Sequence, residues 1–383
     1  MASILVLGGG FAGVVAAESL SRRLGQGHRI TLVSRHREFT YFPSLVQLAF
    51  GHIKLENVFF DLAHAMRSQR VILMQAEVAG YDPDKRYVVV PRGTRGRLEQ
   101  RIAYDYLVFA LGRRLAAERV PGFFEHAHHL LTVGAALKFG EAIKAFHGGH
   151  AVIGCCEDAR LAAPVYETAF ALDRLLRARG ERDRARITVV SPDNFGELSG
   201  GDAVEPVLRA ALVERGIEFA PDFPVNRVTK KEVWTGDGQR MDYNLLMLVP
   251  PFQGPNEAWR VGVTDPNGYI RVDGRMRVHL AERMYAAGDS VNFPGPKMGH
   301  MAVSQGEVAA ANLAAEIEGR EPEASYDHEL TFVIDEGAAD SLYLRHKPWD
   351  DHVAGLRRGR FWGWAQKARA RYRTRLLPGI ARK

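Results

Sequence analysis

Short apolar runs alternate along this chain with longer stretches in which apolar residues return every three or four positions. The runs Ile4–Leu7, Ile30–Val33, Tyr87–Val90, Tyr106–Ala110, Ala151–Ile153, Ile187–Val190 and Leu245–Val249 read as strands, being too short for helices and rich in β-branched residues. The periodic stretches Val14–Leu24, Ala135–Phe146, Pro164–Arg179, Val204–Arg215 and His300–Ile317 read as helices. Apolar strands separated by helices predict parallel sheets covered on both faces, an α/β fold. The strand, helix, strand plan of residues 4–34 returns over residues 151–191, which predicts two Rossmann-like units in one chain.

The turn after the first strand carries the first candidate chemistry. Gly8-Gly9-Gly10-Phe11-Ala12-Gly13 places GxGxxG between a strand and a helix, the context in which the motif holds a dinucleotide. Gly8 permits the tight turn, Gly10 lets a pyrophosphate approach the backbone, and Gly13 lets the helix close on the sheet. The phosphates then rest on the helix N-terminus.

Composition adds exclusions. The 383 residues, 46% hydrophobic and 25% charged, suffice for two or three domains and show no signature of disorder or a fibrous repeat. The only cysteines, Cys155 and Cys156, are adjacent, which excludes a disulfide framework and a structural zinc spacing. His126, His128 and His129 lack cysteine or carboxylate partners at ligand spacing, so they read as a solvated loop and no metal site is expected. No apolar run approaches the roughly 18 residues of a membrane span, and a strand starting at Ile4 leaves no room for a leader, so a cytoplasmic location is expected.

The formal charge of +6 is local. Ten Lys and Arg and no acid lie between Arg357 and Lys383, so residues 1–356 carry about −4. In that tail Phe361, Trp364, Ala365, Ala368, Tyr372 and Leu376 share one helical face and cations fill the other, the pattern of a helix lying in a membrane interface. No nucleic-acid-binding fold is legible, and a membrane surface is the expected partner.

Two further segments carry a resemblance. Tyr104-Asp105-Tyr106-Leu107-Val108-Phe109-Ala110-Leu111-Gly112 and Met284-Tyr285-Ala286-Ala287-Gly288-Asp289, following GxGxxG in that order, resemble the flavoproteins with two dinucleotide-binding domains. Thr40–Leu45, Leu248–Phe252 and Pro296–Met301 narrow the likeness to the sulfide:quinone oxidoreductase and flavocytochrome c sulfide dehydrogenase group, relatives of the type II NADH dehydrogenases. The resemblance implies an FAD-binding Rossmann-like domain made of residues 1–112 and 256–325, a second Rossmann-like domain at 113–255, and a C-terminal quinone and membrane region at 326–383. It implies noncovalent FAD held by Gly8, Gly10, Phe11, Ala12, Gly13, Ser34, Arg35, Ala110, Gly112, Gly288 and Asp289. Asp289 accepts a ribityl hydroxyl, and Lys297 lies near the flavin edge and the quinone. The helix beginning near His300 aims its N-terminus at the flavin pyrimidine, where its dipole and Lys297 favour the reduced, anionic flavin. A solvated loop lysine is the plain alternative for Lys297.

The second unit departs from the pattern. Gly154 is followed by Cys155-Cys156-Glu157-Asp158-Ala159 in place of the glycines of an NAD site, and the second strand ends in Ser191, not an acid. Cys156 crowds the phosphate approach and Glu157 and Asp158 repel it, so classical NADH binding is not expected. The flavin-side cysteines of the sulfide-oxidising group are also missing: Leu161 stands at the first position and Phe332 aligns with the second. The catalytic candidates are therefore Cys155 and Cys156 as thiols near a helix N-terminus, Glu167 as a proton relay, and Lys297. For the cysteines, buried residues filling a turn is the alternative; for Glu167, a locally paired helix carboxylate.

The expected protein is a peripheral FAD oxidoreductase on the cytoplasmic side of the membrane, passing two electrons from a small reduced donor, sulfide among the candidates, to quinone. Two readings stand beside it: a type II NADH:quinone reductase with a degenerate nucleotide site, and a flavin-binding subunit or sensor without turnover of its own. A homo-oligomer is left open.

Overall fold

The computed structural model describes residues 1–92, 98–192, 205–260, 262–337, 340–347 and 352–358. Its first sheet has five parallel strands in the order Met284–Ala286, Tyr106–Phe109, Ser3–Leu7, Arg29–Ser34, Ile72–Gln75. A strand from late in the chain thus closes a sheet begun at its N-terminus. Ile4, Val6 and Leu7 are fully buried, as a central parallel strand covered on both faces requires. The helix Phe11–Leu24 begins inside the glycine motif and packs along the helix Gly299–Ile317. Gly306 permits that contact: a Cβ there would lie 2.5 Å from the Ala12 carbonyl oxygen.

The second sheet has four parallel strands in the order Glu218–Ala220, Ala185–Val190, Gly149–Cys155, Leu245–Val249. The helix Ala163–Arg179 covers it, carrying Val165, Phe170, Leu172 and Leu176 into the core. That core continues into Met301 of the Gly299–Ile317 helix and Leu330, so the second unit is packed against the first through apolar contacts.

Four features differ from the sequence reading. Tyr87–Arg92 belongs to a separate antiparallel sheet with Gly80–Asp82 and Leu98–Ala103, the strands next to it in sequence, which lie too close along the chain for the crossover a parallel pair needs. Ile72–Gln75, absent from the predicted strands, forms the parallel edge of the first sheet. Residues 126–129 are not a solvated loop: His128 N–H donates to Leu246 O (3.2 Å) and Leu248 N–H to His128 O (2.8 Å), extending the second sheet past Leu245–Val249. Phe332 lies on a late strand absent from the predicted ones, the first of an antiparallel set, Leu330–Gly337, Asp340–Lys347 and His352–Arg358. Arg357 and Arg358, counted with the basic tail, lie in its last strand. The amphipathic stretch from Phe361 falls outside the described residues, and no helix among the described residues is long and apolar enough to cross a membrane.

Candidate functional site

The C-terminal edge of the first sheet gathers the residues expected around FAD. Gly8 has φ +107°, and a Cβ there would lie 2.1 Å from Ala110 O; a Cβ on Gly13 would lie 1.9 Å from Gly8 O. These two glycines let three backbone segments touch. Gly10 is different: it is exposed and nothing lies within 4 Å of where its Cβ would stand. The helix that starts at Phe11 has no side-chain cap and no acid in its first turn. Its uncapped amides thus face open space, a cradle that suits a pyrophosphate.

Around this turn the other candidates fall into place. The Phe11 ring packs edge-on against Phe39 (centroids 4.9 Å apart) and lies against Gly299, at the head of the last helix. Ala12 is buried and sits 2.9 Å from the Cβ position of Gly288, which has φ +78°. Ser34 is buried and its hydroxyl donates to His36 O at 2.8 Å, turning the chain, whereas Arg35 is exposed and pairs with Glu77 at 3.6 Å.

Gly112 and Asp289 meet across the sheet edge through partners the sequence reading missed. Ser290 Oγ accepts from Gly112 N–H (2.8 Å) and donates to Gly112 O (2.9 Å). Asp289 accepts from Arg113 Nη1 at 2.8 Å, and that guanidinium lies 4.1 Å over the Phe252 ring. Gln305, buried on the last helix, accepts from Gly288 N–H at 2.8 Å. Each signal was a single polar residue without a motif, visible only once the elements meet.

Lys297 is not a solvated loop lysine. It is 7% exposed, its Nζ donates to Val291 O and, at 3.4 Å, to Phe293 O, and it stands 4.7 Å over the Tyr269 ring. Burial, then the nearby Arg160 cation, lowers its pKa to about 7, against the opposing pull of Asp289 and Asp265. Lys297, Asp289, Phe293, Met298 and Gln305 line a narrow crevice beside the N-terminus of the Gly299–Ile317 helix, which has no side-chain cap and no acid in its first turn. Two cation sources therefore converge beside the glycine cradle.

The second unit places its candidates differently from the expectation. The first turn spans Gly8–Gly10, but here the connection runs from Cys156 to Ala162 before the helix begins at Ala163, with Pro164 in its first turn. Cys155 and Cys156 do not sit at a helix N-terminus. As neighbours at a strand end they point to opposite faces of the sheet. Cys156 is fully buried with Phe223, Val225 and Leu248, and burial pushes its thiol well above the usual range, so the expected reactive thiol is corrected to an inert core residue. Cys155, 3% exposed, lies in the second unit's core cluster, apart from the one that holds Cys156, and its Sγ donates to Leu161 O at 3.8 Å. Glu167 is half-buried on the Ala163–Arg179 helix beside buried Tyr166. Asp158 has φ +59° and its carboxylate is held by Arg119 at 2.8 Å. The Phe332 side chain lies outside the described residues.

Among the described residues no group of three or more His, Cys, Asp or Glu side chains is placed to hold a metal ion. His129 is half-buried, its Nδ1 accepts from Leu131 N–H at 3.3 Å, and burial lowers its pKa to about 4.

A glycine cradle on one parallel sheet and a second parallel unit without one define an α/β protein built on two dinucleotide-binding-type domains. The chain belongs to the pyridine nucleotide-disulphide oxidoreductase family, whose profile matches residues 2–306. It is similar to the sulfide-quinone reductase of Aquifex aeolicus (strain VF5), 27% identical over 262 residues, or 66% of this chain and 59% of that protein. That alignment spans less than two thirds of the relative. It is also similar to the mitochondrial sulfide:quinone oxidoreductase of Mus musculus, 24% identical over 346 residues, 85% of this chain and 73% of the other. Among solved structures, the sulfide:quinone oxidoreductase of Aquifex aeolicus superposes with a TM-score of 0.90 at 23% identity, covering 100% of this chain and 92% of that one. This likeness establishes the fold.

Proposed function

We propose that this protein is a peripheral membrane FAD oxidoreductase of the sulfide:quinone oxidoreductase type, taking two electrons from a small reduced donor and delivering them to quinone. The observation that carries the reading is the convergence of Lys297, Asp289 and the uncapped Gly299–Ile317 helix on one crevice beside the open turn at Gly10. In this reading Gly10 and the amides of the Phe11–Leu24 helix bind the pyrophosphate, with Phe11, Ala12 and Gly13 shaping the turn. Ser34 and Arg35 border the adenosine end, Ala110 and Gly112 the returning chain, and Gly288 and Asp289 the ribityl chain. FAD bound there supplies reversible two-electron chemistry. Lys297 and the helix N-terminus hold positive potential at the cofactor edge, and Lys297 Nζ, with a pKa of about 7, can give or take a proton near neutrality.

A small sulfur species suits the donor side better than a nicotinamide dinucleotide. The Cys156–Ala162 connection has no glycine cradle, and the strand just before it ends in a thiol, Cys155. The similarity to a sulfide-quinone reductase and a sulfide:quinone oxidoreductase supports the choice of sulfide and quinone. No cysteine lies in residues 1–112, so a thioether link is not expected and the FAD is proposed to be noncovalent. Acid precipitation of purified protein should release a yellow supernatant; a colourless protein that takes up no FAD defeats the proposal. Stopped-flow bleaching with sulfide, NADH and NADPH in parallel then identifies the donor, with fast saturable bleaching expected from sulfide only. Saturable reduction by micromolar NADH would favour the type II NADH:quinone reductase, and bleaching by none of the three would favour a flavin-binding subunit.

A further inference from the structure

The segment that stands where a nucleotide-binding turn would lie in the second unit is tied to the first. Arg160 projects from the Cys156–Ala162 connection, and its guanidinium forks two carbonyls of the crevice loop: Nε donates to Gly295 O at 2.9 Å, and Nη2 to Phe293 O at 2.8 Å and Gly295 O at 2.6 Å. Its own carbonyl accepts from Lys297 N–H at 2.7 Å. Arg160 therefore holds the loop at 293, 295 and 297, between Asp289 and the head of the last helix. Arg160 and Lys297 also share the Tyr269 ring, 5.6 and 4.7 Å from its centroid. Tyr269 is 2% exposed, and its hydroxyl is buried with no hydrogen-bond partner among the described residues.

We infer that Arg160 is a positioning residue: from the second domain it sets both the place and the charge of Lys297 in the crevice. The inference rests on the flavin-site reading for its purpose but not for its geometry. A guanidinium fork is rigid and always charged, so the contact that fixes the loop also keeps a cation beside a buried ammonium. The groups facing Lys297 are Arg160, Arg113 and Tyr269, with Asp289 and Asp265 opposing the cations. The connection that lacks a dinucleotide cradle has thereby become a strut between the domains, aimed at the one lysine in the crevice.

Urea unfolding of the full chain between pH 6.5 and 10, as purified and after flavin removal, tests this. A lysine whose folded pKa lies near 7 and whose unfolded pKa is about 10.5 is charged and penalised in the fold at low pH, so stability rises with pH from about 7. Lys297→Met should lack this rise and so identifies it. Arg160→Gln removes the neighbouring cation, and its rise should begin about one pH unit later. Arg160→Lys keeps the charge but loses the fork: the rise should begin where it does in the wild type, while the amides of Phe293, Gly295 and Lys297 exchange about tenfold faster. A rise that begins at the wild-type pH in Arg160→Gln, or unaltered exchange in Arg160→Lys, overturns the inference. The exchange measurement decides alone if Arg160→Gln does not fold. Failure to bind FAD would sink the proposed function and leave the unfolding slopes readable on the apoprotein.

Discussion

Gly10 and Gly13 stand in one motif for opposite physical reasons, and the difference can be measured. A Cβ at 13 would press within 1.9 Å of a backbone oxygen that cannot move without opening the turn, whereas a Cβ at 10 meets nothing. Gly13→Ala should therefore destabilise the apoprotein by about 2 kcal/mol or more. Gly10→Ala, at φ −88° and ψ −171°, should keep apoprotein stability within about 0.5 kcal/mol and lower FAD affinity, because the methyl occupies the pyrophosphate space. Chemical unfolding and flavin titration separate the two; equal loss of stability in both would refute this division of roles. Glu18 poses a different residue-scale question. It is 3% exposed on the helix behind the motif, Oε1 has no hydrogen-bond partner among the described residues, and burial raises its pKa to about 7 despite Arg22. Below about pH 4.5 both states bind the proton and Glu18 is neutral to stability. Between there and pH 7 the unfolded chain ionises first, so stability falls, and the cost is constant above. Glu18→Gln should thus gain stability progressively from pH 4.5 to 7, reaching about 1–3 kcal/mol. A variant advantage independent of pH would rule out this origin.

At the scale of the element, strand alternation decides which cysteine can matter. The strand Gly149–Cys155 delivers Cys155 to the core cluster that also holds Met301, and the next residue turns into a different core with Phe223. If sulfide reduces the flavin through a thiol, Cys155→Ser should slow bleaching at least about tenfold. Cys156→Ser should leave the rate within about twofold, although a hydroxyl in place of the thiol in an apolar core should cost about 1–3 kcal/mol of stability. Bleaching unaffected by either substitution removes both from the chemistry. The same alternation explains why a vicinal pair cannot replace two spaced cysteines: their sulfurs face different cores.

For the whole molecule, the boundary that matters lies between the described strands and the basic tail. Arg357 and Arg358 are paired in the sheet with Tyr343 and Leu342, so removal from residue 357 would cut a strand. Truncation after Arg358 should instead release the protein from anionic vesicles while FAD stays bound, because both glycine segments and the crevice lie far upstream. Each tail cation near an anionic surface contributes about 1 kcal/mol, and salt should weaken that part alone, leaving residual binding through Trp362 and Trp364. Co-sedimentation of the truncated chain equal to that of the full chain would show that the tail is not the anchor.

Local order determined much of this protein. The parallel strands, the helices over them, the glycine turn and the late Gly288-Asp289 segment were legible because each depends on neighbours a few residues apart: a period, a cap, a required close approach. The tertiary structure decided what depends on distant partners. Ile72–Gln75 is a strand because Arg29–Ser34 offers it an edge, and His128 is fixed because the carbonyl of Leu246 accepts from its N–H and the amide of Leu248 donates to its carbonyl. Lys297 looks like any loop lysine until burial, Tyr269 and a guanidinium 137 positions earlier in the chain surround it. Arg113, Arg160, Gln305 and Ser290 carry no motif, since a single side chain reaching a backbone group or a carboxylate far away in the chain leaves no periodic trace. The chemistry of adjacent cysteines was likewise undecidable in one dimension: their separation is a property of the sheet, not of the spacing.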